Sequence, residues 1–283
     1  MIRKPSFFVV GTPKGGTTSI FNYLEEHPEV FLPKLKEPHF FSSPEILDTY
    51  YNVKIITEET HYRNLFKDAS TQNAIGDLST SYLYNRKSAE RIKSFNSDSK
   101  IIIVLRNPVE RAISHYLMDY NLGYIDIPFI DVINNREKNS IFYREYIELG
   151  YYESQISNYY EIYDKSKVLI ILSEDLFSNT IEIVSDIYKF IGVDENYIPD
   201  ISKKHNQYRK PKFEIVKKIA QSKVATNLLN NIPEEIKNIA KTVFYSNTRK
   251  PLLTKERDVL KDLYRGSIIK TSNLINRDLS SWI

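Results

Sequence analysis

The sequence predicts an α/β fold, a single domain with a central parallel sheet flanked by helices. Three features predict it: a strand that runs through a glycine-rich turn into a helix near the N-terminus, two further runs of buried-strand composition, and helical patterns interleaved with them. The first feature begins at Phe7-Phe8-Val9-Val10, a short apolar run bounded by turn residues and therefore read as a strand buried on both faces. Behind it Ile20, Phe21 and Leu24 recur at helical spacing, and the pattern stops at His27-Pro28. Between the two lies Gly11-Thr12-Pro13-Lys14-Gly15-Gly16-Thr17-Thr18. A strand that enters a helix through glycines turns several backbone amides and the positive end of the helix dipole on one spot. That spot suits an anion, most often phosphate. Lys14 and the paired threonines raise the turn above a plain glycine connection, to a P-loop-like phosphate-binding loop.

The remaining elements follow in chain order. Val30-Phe31-Leu32 is a short apolar run, and Lys34 to Glu37 supplies charge ahead of Pro38. A residue before proline is pushed toward an extended conformation, so Glu37 is expected to project from an extended segment. Phe40-Phe41 reads as core. Ser43 to Asn73 is polar, aromatic and weakly patterned, which suggests loops and short helices over the site. Ile75-Gly76-Asp77-Leu78 reads as the next strand, followed by Ser79-Thr80-Ser81-Tyr82. Lys100-Ile101-Ile102-Ile103-Val104-Leu105 is the clearest strand, an unbroken β-branched and leucine run after a polar stretch.

Asn107 then makes a helix N-cap, with Pro108 at the first helical position and Glu110 at the third. The helix is expected to bury Val109, Ile113, Tyr116 and Tyr120, with Asn107, Arg111 and Ser114 sharing another face. From Asp126 to Tyr163 the pattern is helical, and most of Tyr146, Tyr151, Tyr152, Tyr159 and Tyr160 are expected in the core. Lys167 to Leu172 reads as another buried strand, and Ile181 to Ile191 as a helix ended near Gly192. The basic cluster Lys203 to Pro211 reads as a solvated face. Two apolar stripes follow, one of Ile232, Ile236, Ile239, Ala240 and Val243 and one of Val259, Leu260 and Leu263, with Trp282 as a packing anchor.

Composition sets the bounds. The chain has 283 residues, 41% hydrophobic and 27% charged, an ordinary globular balance that can bury a substantial core. No Gly/Ser or Pro-rich linker and no internal repeat divides it, so residues 1–283 read as one domain. The net charge of +3 is too small to argue for a nucleic-acid partner. Without cysteine there is no disulfide framework and nothing that implies an oxidising compartment. No signal peptide or membrane span fits the sequence, so a cytoplasmic location is expected. No His/Asp/Cys cluster has metal-ligand spacing, so no metal site is expected.

The loop first invites comparison with the nucleoside triphosphate pattern G-x-x-x-x-G-K-[ST], and the spacing from Gly11 to Gly16 fits it. The lysine does not: position 17 is Thr, and the lysine of the loop is Lys14. A triphosphate site also needs a carboxylate on a neighbouring strand to hold Mg²⁺, yet the strand ending at Leu105 runs straight into Arg106. A cation stands where a metal would need an acid. The pair points to a doubly phosphorylated, metal-free nucleotide, with one phosphate on the loop and another on Arg106.

At these residues the chain resembles the sulfotransferases that use 3′-phosphoadenosine 5′-phosphosulfate (PAPS). Pro13-Lys14-Gly15-Gly16-Thr17-Thr18 is similar to that family's 5′-phosphosulfate loop, and Val104 to Ser114 to its 3′-phosphate motif. Lys36-Glu37-Pro38-His39-Phe40-Phe41, Gly76 to Leu83 and Asn276 to Trp282 carry the resemblance nearly end to end. It implies a metal-independent sulfotransferase that moves a sulfuryl group from PAPS to the hydroxyl of a sugar, lipid or small metabolite, leaving adenosine 3′,5′-bisphosphate. It further implies that Lys14, Gly15, Gly16, Thr17, Thr18, Arg106 and Ser114 bind the donor. In the family a basic loop closes over the nucleotide, which adds Arg209 and Lys210.

For the chemistry, Lys14 and the loop amides would meet the charge that grows on the leaving 5′-phosphate oxygen. Glu37 and His39 lie two residues apart and would share a side of an extended segment, so both reach the site. His39 is intrinsically the better matched to neutral pH. The heparan-sulfate-type relatives use the acid of a similar E-x-H-F-F motif as general base, and the resemblance therefore assigns Glu37. The chain departs from many heparan-acting relatives at Leu78, where they carry lysine, and at Ser42, where they carry aspartate; both weigh against a heparan-like acceptor. Two other classes remain in view. A P-loop nucleotide kinase is opposed by Thr17 and Arg106, and a non-catalytic nucleotide-binding relative would be marked by loss of Lys14 or Glu37, both of which are present.

Overall fold

Five parallel strands in the order β2-β3-β1-β4-β5 form the centre of the molecule in the computed structural model, which describes residues 2–47, 49–51, 53–202, 210–211, 245–246 and 253–283. The strands are β1 (Phe7–Gly11), β2 (Val30–Phe31), β3 (Ala74–Leu78), β4 (Lys100–Leu105) and β5 (Val168–Leu172). The helices are α1 (Thr17–Glu26), α2 (Ser43–Ile46), α3 (Glu59–Asn64), α4 (Arg86–Phe95), α5 (Pro108–Leu122), α6 (Phe129–Asn134), α7 (Ser140–Tyr146), α8 (Tyr152–Ile162), α9 (Ser173–Ser178), α10 (Thr180–Ile191) and α11 (Thr254–Ile275). The expected α/β class and parallel sheet are thus what the chain adopts.

The alternation of side chains along a strand explains the two cores. On one face Phe8, Val10, Ile101, Ile103 and Leu105 pack with Ile113, Tyr146, Tyr152 and Tyr159. On the other, Phe7, Val9, Ile102 and Val104 pack with Ile20, Leu24 and Ile187 from α1 and α10. Because β1 and β4 are buried on both faces, their sequences read as continuous apolar runs. Gly76 faces Phe7 across the β1–β3 pair, and a Cβ there would lie 2.2 Å from the Phe7 ring, so only glycine fits.

The cap at α5 is built as its sequence requires: the Asn107 side chain accepts from the amides of Val109 and Glu110, with Pro108 opening the helix. Gly192 ends α10 with φ 86°. Trp282 is buried and packs against Tyr152.

Several expectations are corrected. Tyr120 is 39% exposed and Leu263 37% exposed, each at the outer edge of its helical stripe. Lys167 belongs to a 3₁₀ turn that precedes β5. Arg111 is fully buried, because the backbone carbonyls of Glu145 and Tyr146 accept from its guanidinium. Glu37 is not extended: its φ is 60°. Its amide donates to the Leu78 carbonyl at 3.1 Å, and the Thr80 hydroxyl donates to its carboxylate, contacts that hold the turned backbone against the local preference. The stripe from Ile232 to Val243 and the residue Arg209 lie outside the described residues, and Lys210 is described only as backbone, in a short antiparallel pair with Tyr245–Ser246.

Candidate functional site

In an open parallel sheet the loops at the carboxyl ends of the strands gather around the point where strand order reverses. Here β1 lies between β3 and β4, so the loops after all three meet over one cleft. The loop after β1 is pinned by Thr12, whose amide donates to the Val104 carbonyl at 2.7 Å, and closes through Gly15 N–H to Thr12 O at 3.0 Å. A Cβ at Gly15 would approach the Thr12 carbonyl to 2.9 Å. Gly16, with φ 101°, caps α1 without any side-chain hydrogen bond. The amides of Ser19 and Ile20 donate to the Gly16 carbonyl, which leaves those of Thr17 and Thr18 at the open end of the helix beside the cleft, an arrangement that suits an anion.

Lys14 reaches across the cleft to α5, where its Nζ lies 3.1 Å from Met118 Sδ. Arg106 leaves β4 and donates from Nη1 to the Lys14 carbonyl at 2.9 Å, which ties the two cationic segments together. Burial pulls the Arg106 guanidinium below the ordinary arginine value, against the raising effect of Glu174. Ser114, in the second turn of α5, lines the same cleft.

Glu37 and His39 occupy the opposite wall. Glu37 Oε2 accepts from Thr80 Oγ1 at 2.8 Å and lies 3.8 Å from His39 Nε2. Lys36 bridges to the phosphate loop: its Nζ donates to Thr18 Oγ1 at 2.6 Å and stands 3.6 Å from Glu37 Oε1. Burial lowers the His39 pKa from the ordinary histidine value, with the Glu37 carboxylate opposing the shift. Burial thus favours the neutral form of the His39 ring. The geometry places a cation between the anion loop and the carboxylate, and sequence reasoning missed it although Lys36 stands inside a motif it had singled out. Thr80 and Ser81, in the segment that the resemblance reads as a substrate-side loop, follow β3 and line the cleft.

A buried carboxylate anchors this wall from below. Asp77 is fully buried, accepts from the hydroxyls of Tyr62, Tyr82 and Ser79, and Ser79 Oγ in turn accepts from the His39 amide at 3.2 Å. Burial pushes the Asp77 carboxyl up to about 6, although its three hydroxyl donors oppose the shift.

Asp119 on α5 is a second buried carboxylate. The hydroxyls of Tyr50, Tyr51 and Tyr146 all donate to its Oδ2, while Oδ1 has no partner, and burial pushes this carboxyl up to about 6 as well. Its folded-state pKa lies above the unfolded value, so the native chain keeps a proton that the unfolded chain releases. Stability from this group is present at about pH 4 and is lost as pH rises to about 6. Asp119→Asn is expected to flatten the melting temperature between those two pH values relative to the parent chain. Identical slopes in calorimetric melts would count against it.

The cleft that these elements enclose has a volume of about 1030 Å³, the scale of a nucleotide together with part of a second reactant. Lys14, Gly16, Thr17, Thr18, Arg106 and Ser114 line one side, and Glu37 and His39 the other; Gly15 sits in the turn beneath. The structure therefore gathers these sequence-proposed site residues at one cleft, and does not place Lys210, described only as backbone, among them. The donor set fits a nucleotide bearing two phosphates, with amides and Lys14 at one end and Arg106 and Ser114 at the other. Among the described residues no cluster of His, Cys, Asp or Glu is arranged to hold a metal ion, and no helix is long and apolar enough to cross a membrane.

The model of the family described as "Sulfotransferase domain" matches residues 4–256. The chain is 27% identical over 218 residues to human heparan sulfate glucosamine 3-O-sulfotransferase 3B1, a match that covers 76% of this chain and 52% of that protein. To the membrane-associated sulfotransferase kil1 of Dictyostelium discoideum it is 34% identical over 112 residues, 40% of this chain and 22% of that protein. The chain thus spans about half, or less, of the length of these curated relatives. Among solved structures, the sulfotransferase from Alicyclobacillus acidocaldarius superposes with a TM-score of 0.75 at 26% identity, over 99% of each chain.

Proposed function

The chain belongs to the sulfotransferase-domain family, and from that membership we propose that it moves a sulfuryl group from PAPS to an acceptor hydroxyl, with a carboxylate as general base. The observation that carries this reading is the cleft itself: an anion loop and Arg106 on one wall, Glu37 with His39 on the other, and Lys36 between them.

When bound, the donor supplies an activated sulfuryl group and a leaving 5′-phosphate. Lys14 and the first amides of α1 stabilise negative charge on that phosphate, already aligned before the charge develops. Arg106 and Ser114 would hold the 3′-phosphate, and the hydrogen bond from Arg106 to the Lys14 carbonyl joins the segment that carries it to the phosphate loop. Arg209 and Lys210 are further donor-binding candidates. Lys36, anchored on Thr18, meets charge between the loop and the base. Glu37 takes the proton of the acceptor hydroxyl, its free orientation set by Thr80. No protein carboxylate needs to hold a metal in this scheme.

The acceptor is a hydroxyl on a sugar, lipid or small metabolite. Leu78 is buried in the core beside Phe7 and Val9, so the lysine that many heparan-acting relatives carry there has no counterpart at this position. The reaction is assigned to the cytoplasm, in keeping with the cysteine-free sequence. Incubating the chain with radiolabelled PAPS and a panel of hydroxylated acceptors, without any added divalent cation, is expected to label at least one of them, and the Lys14→Ala variant is expected to label it far less. Transfer to amines alone would show the acceptor chemistry to be wrong, and no transfer to any acceptor would remove the main support for the reading.

A further inference from the structure

His39 sits in a chain of hydroxyls whose protons can be counted. Ser42 Oγ lies 3.2 Å from the His39 carbonyl, an acceptor, so this contact uses the one Ser42 hydroxyl proton. Ser81 Oγ lies 2.6 Å from Ser42 Oγ, and with the Ser42 proton already placed, the Ser81 proton must fill that contact. Ser81 Oγ then faces His39 Nδ1 at 2.7 Å as an acceptor. Filling all three contacts at once thus places the imidazole hydrogen on Nδ1, and in a neutral ring Nε2 is left bare. Nε2 faces Glu37 Oε2 at 3.8 Å, too far for a hydrogen bond and one proton short of making one.

We propose that Ser42 and Ser81 are positioning residues that lock His39 in the Nδ1–H tautomer, so that Glu37 and His39 together take up the acceptor proton. Its catalytic half rests on the sulfotransferase reading; the tautomer does not. The physical need for a lock is clear from the surroundings. An Nε2–H facing the Glu37 carboxylate would be favoured by charge, and it would fill the lone pair needed to receive a proton. With the lock in place, the acceptor oxygen bonds to sulfur as the bond from sulfur to the donor's 5′-phosphate oxygen breaks, the adenosine 3′,5′-bisphosphate leaves with that electron pair, and the acceptor O–H bond gives up its proton. Glu37 Oε2 takes the proton, the two side chains draw together from 3.8 Å so that the bare Nε2 of His39 accepts a hydrogen bond from the new carboxylic acid, and the proton passes to water when the product leaves. His39 is buried and Ser42 fully so, while Ser81 is half-buried at the cleft wall, so the lock is anchored from its protein side.

The test reads the imidazole nitrogens directly, by long-range ¹H–¹⁵N correlation on the full chain near neutral pH without ligands, with His39 assigned by its loss in His39→Asn. The expected result is a proton on Nδ1 in the parent chain, its transfer to Nε2 in Ser81→Ala and in Ser42→Ala, and its return to Nδ1 in Ser81→Thr. In turnover, Ser81→Ala is expected to lower kcat roughly tenfold, the scale of one net hydrogen bond, with KM for the donor unchanged. A parent chain with Nε2–H, or alanine variants that retain Nδ1–H, would overturn the lock. A changed tautomer with unchanged kcat would overturn its catalytic role. Because the spectrum needs neither donor nor acceptor, a chain that failed to transfer sulfuryl groups would refute the functional reading while the tautomer result stood by itself.

Discussion

Glu37→Gln is expected to lower kcat about 10²- to 10⁴-fold, the range for loss of a general base, while leaving affinity for adenosine 3′,5′-bisphosphate nearly unchanged. Glutamine keeps the shape of the side chain and can still accept from Thr80 through its amide oxygen, so the turned backbone at position 37 stays supported. What disappears is the anionic lone pair that faces the acceptor and the charge 3.6 Å from Lys36 Nζ. The nucleotide wall, built from the α1 amides, Lys14 and Arg106, makes no hydrogen bond to the Glu37 carboxylate among the described residues. Binding and turnover should therefore separate in this variant. Near-normal turnover in Glu37→Gln, combined with its loss in His39→Asn at intact donor affinity, would reverse the roles and make His39 the base.

The contrast between what was readable in the sequence and what was not follows the range of the interactions. β4 and its cap were legible to the residue, because a β-branched run and an Asn-Pro step act locally. The phosphate loop was legible for the same reason, since strand, glycines and helix are contiguous. The conformation of Glu37 was not. Local preference before proline favours an extended chain, and only contacts with Leu78 and Thr80, more than forty positions away in sequence, hold it at φ 60°.

Arg111 shows the same limit in the core. A charged residue on a helix face reads as solvated, and its burial becomes acceptable only because two carbonyls at the end of α7 meet its guanidinium. Lys36 had no assigned role because nothing in the sequence predicts that its ammonium lands on Thr18. The site was thus legible as a set of motifs, and the contacts that join one motif to another came from the fold.

Arg106→Ala is expected to weaken binding of adenosine 3′,5′-bisphosphate by about 2 to 5 kcal/mol, the loss for truncating one partner of a buried charge pair. At about 1.4 kcal/mol for each tenfold, the change is large enough to read by titration calorimetry without added Mg²⁺. Two roles of Arg106 have to be separated in that number. One is charge and hydrogen bonding to the 3′-phosphate; the other is support of the loop, through the 2.9 Å bond from Nη1 to the Lys14 carbonyl. Adenosine 5′-phosphate, which lacks the 3′-phosphate, tells them apart. If Arg106 acts on the 3′-phosphate, the parent chain prefers the bisphosphate strongly and Arg106→Ala erases most of that preference, with a small effect on the monophosphate. If it acts only through the loop, both nucleotides weaken together and the preference survives. Equal affinity of the parent chain for the two nucleotides would sink the assignment of the 3′-phosphate to Arg106 altogether.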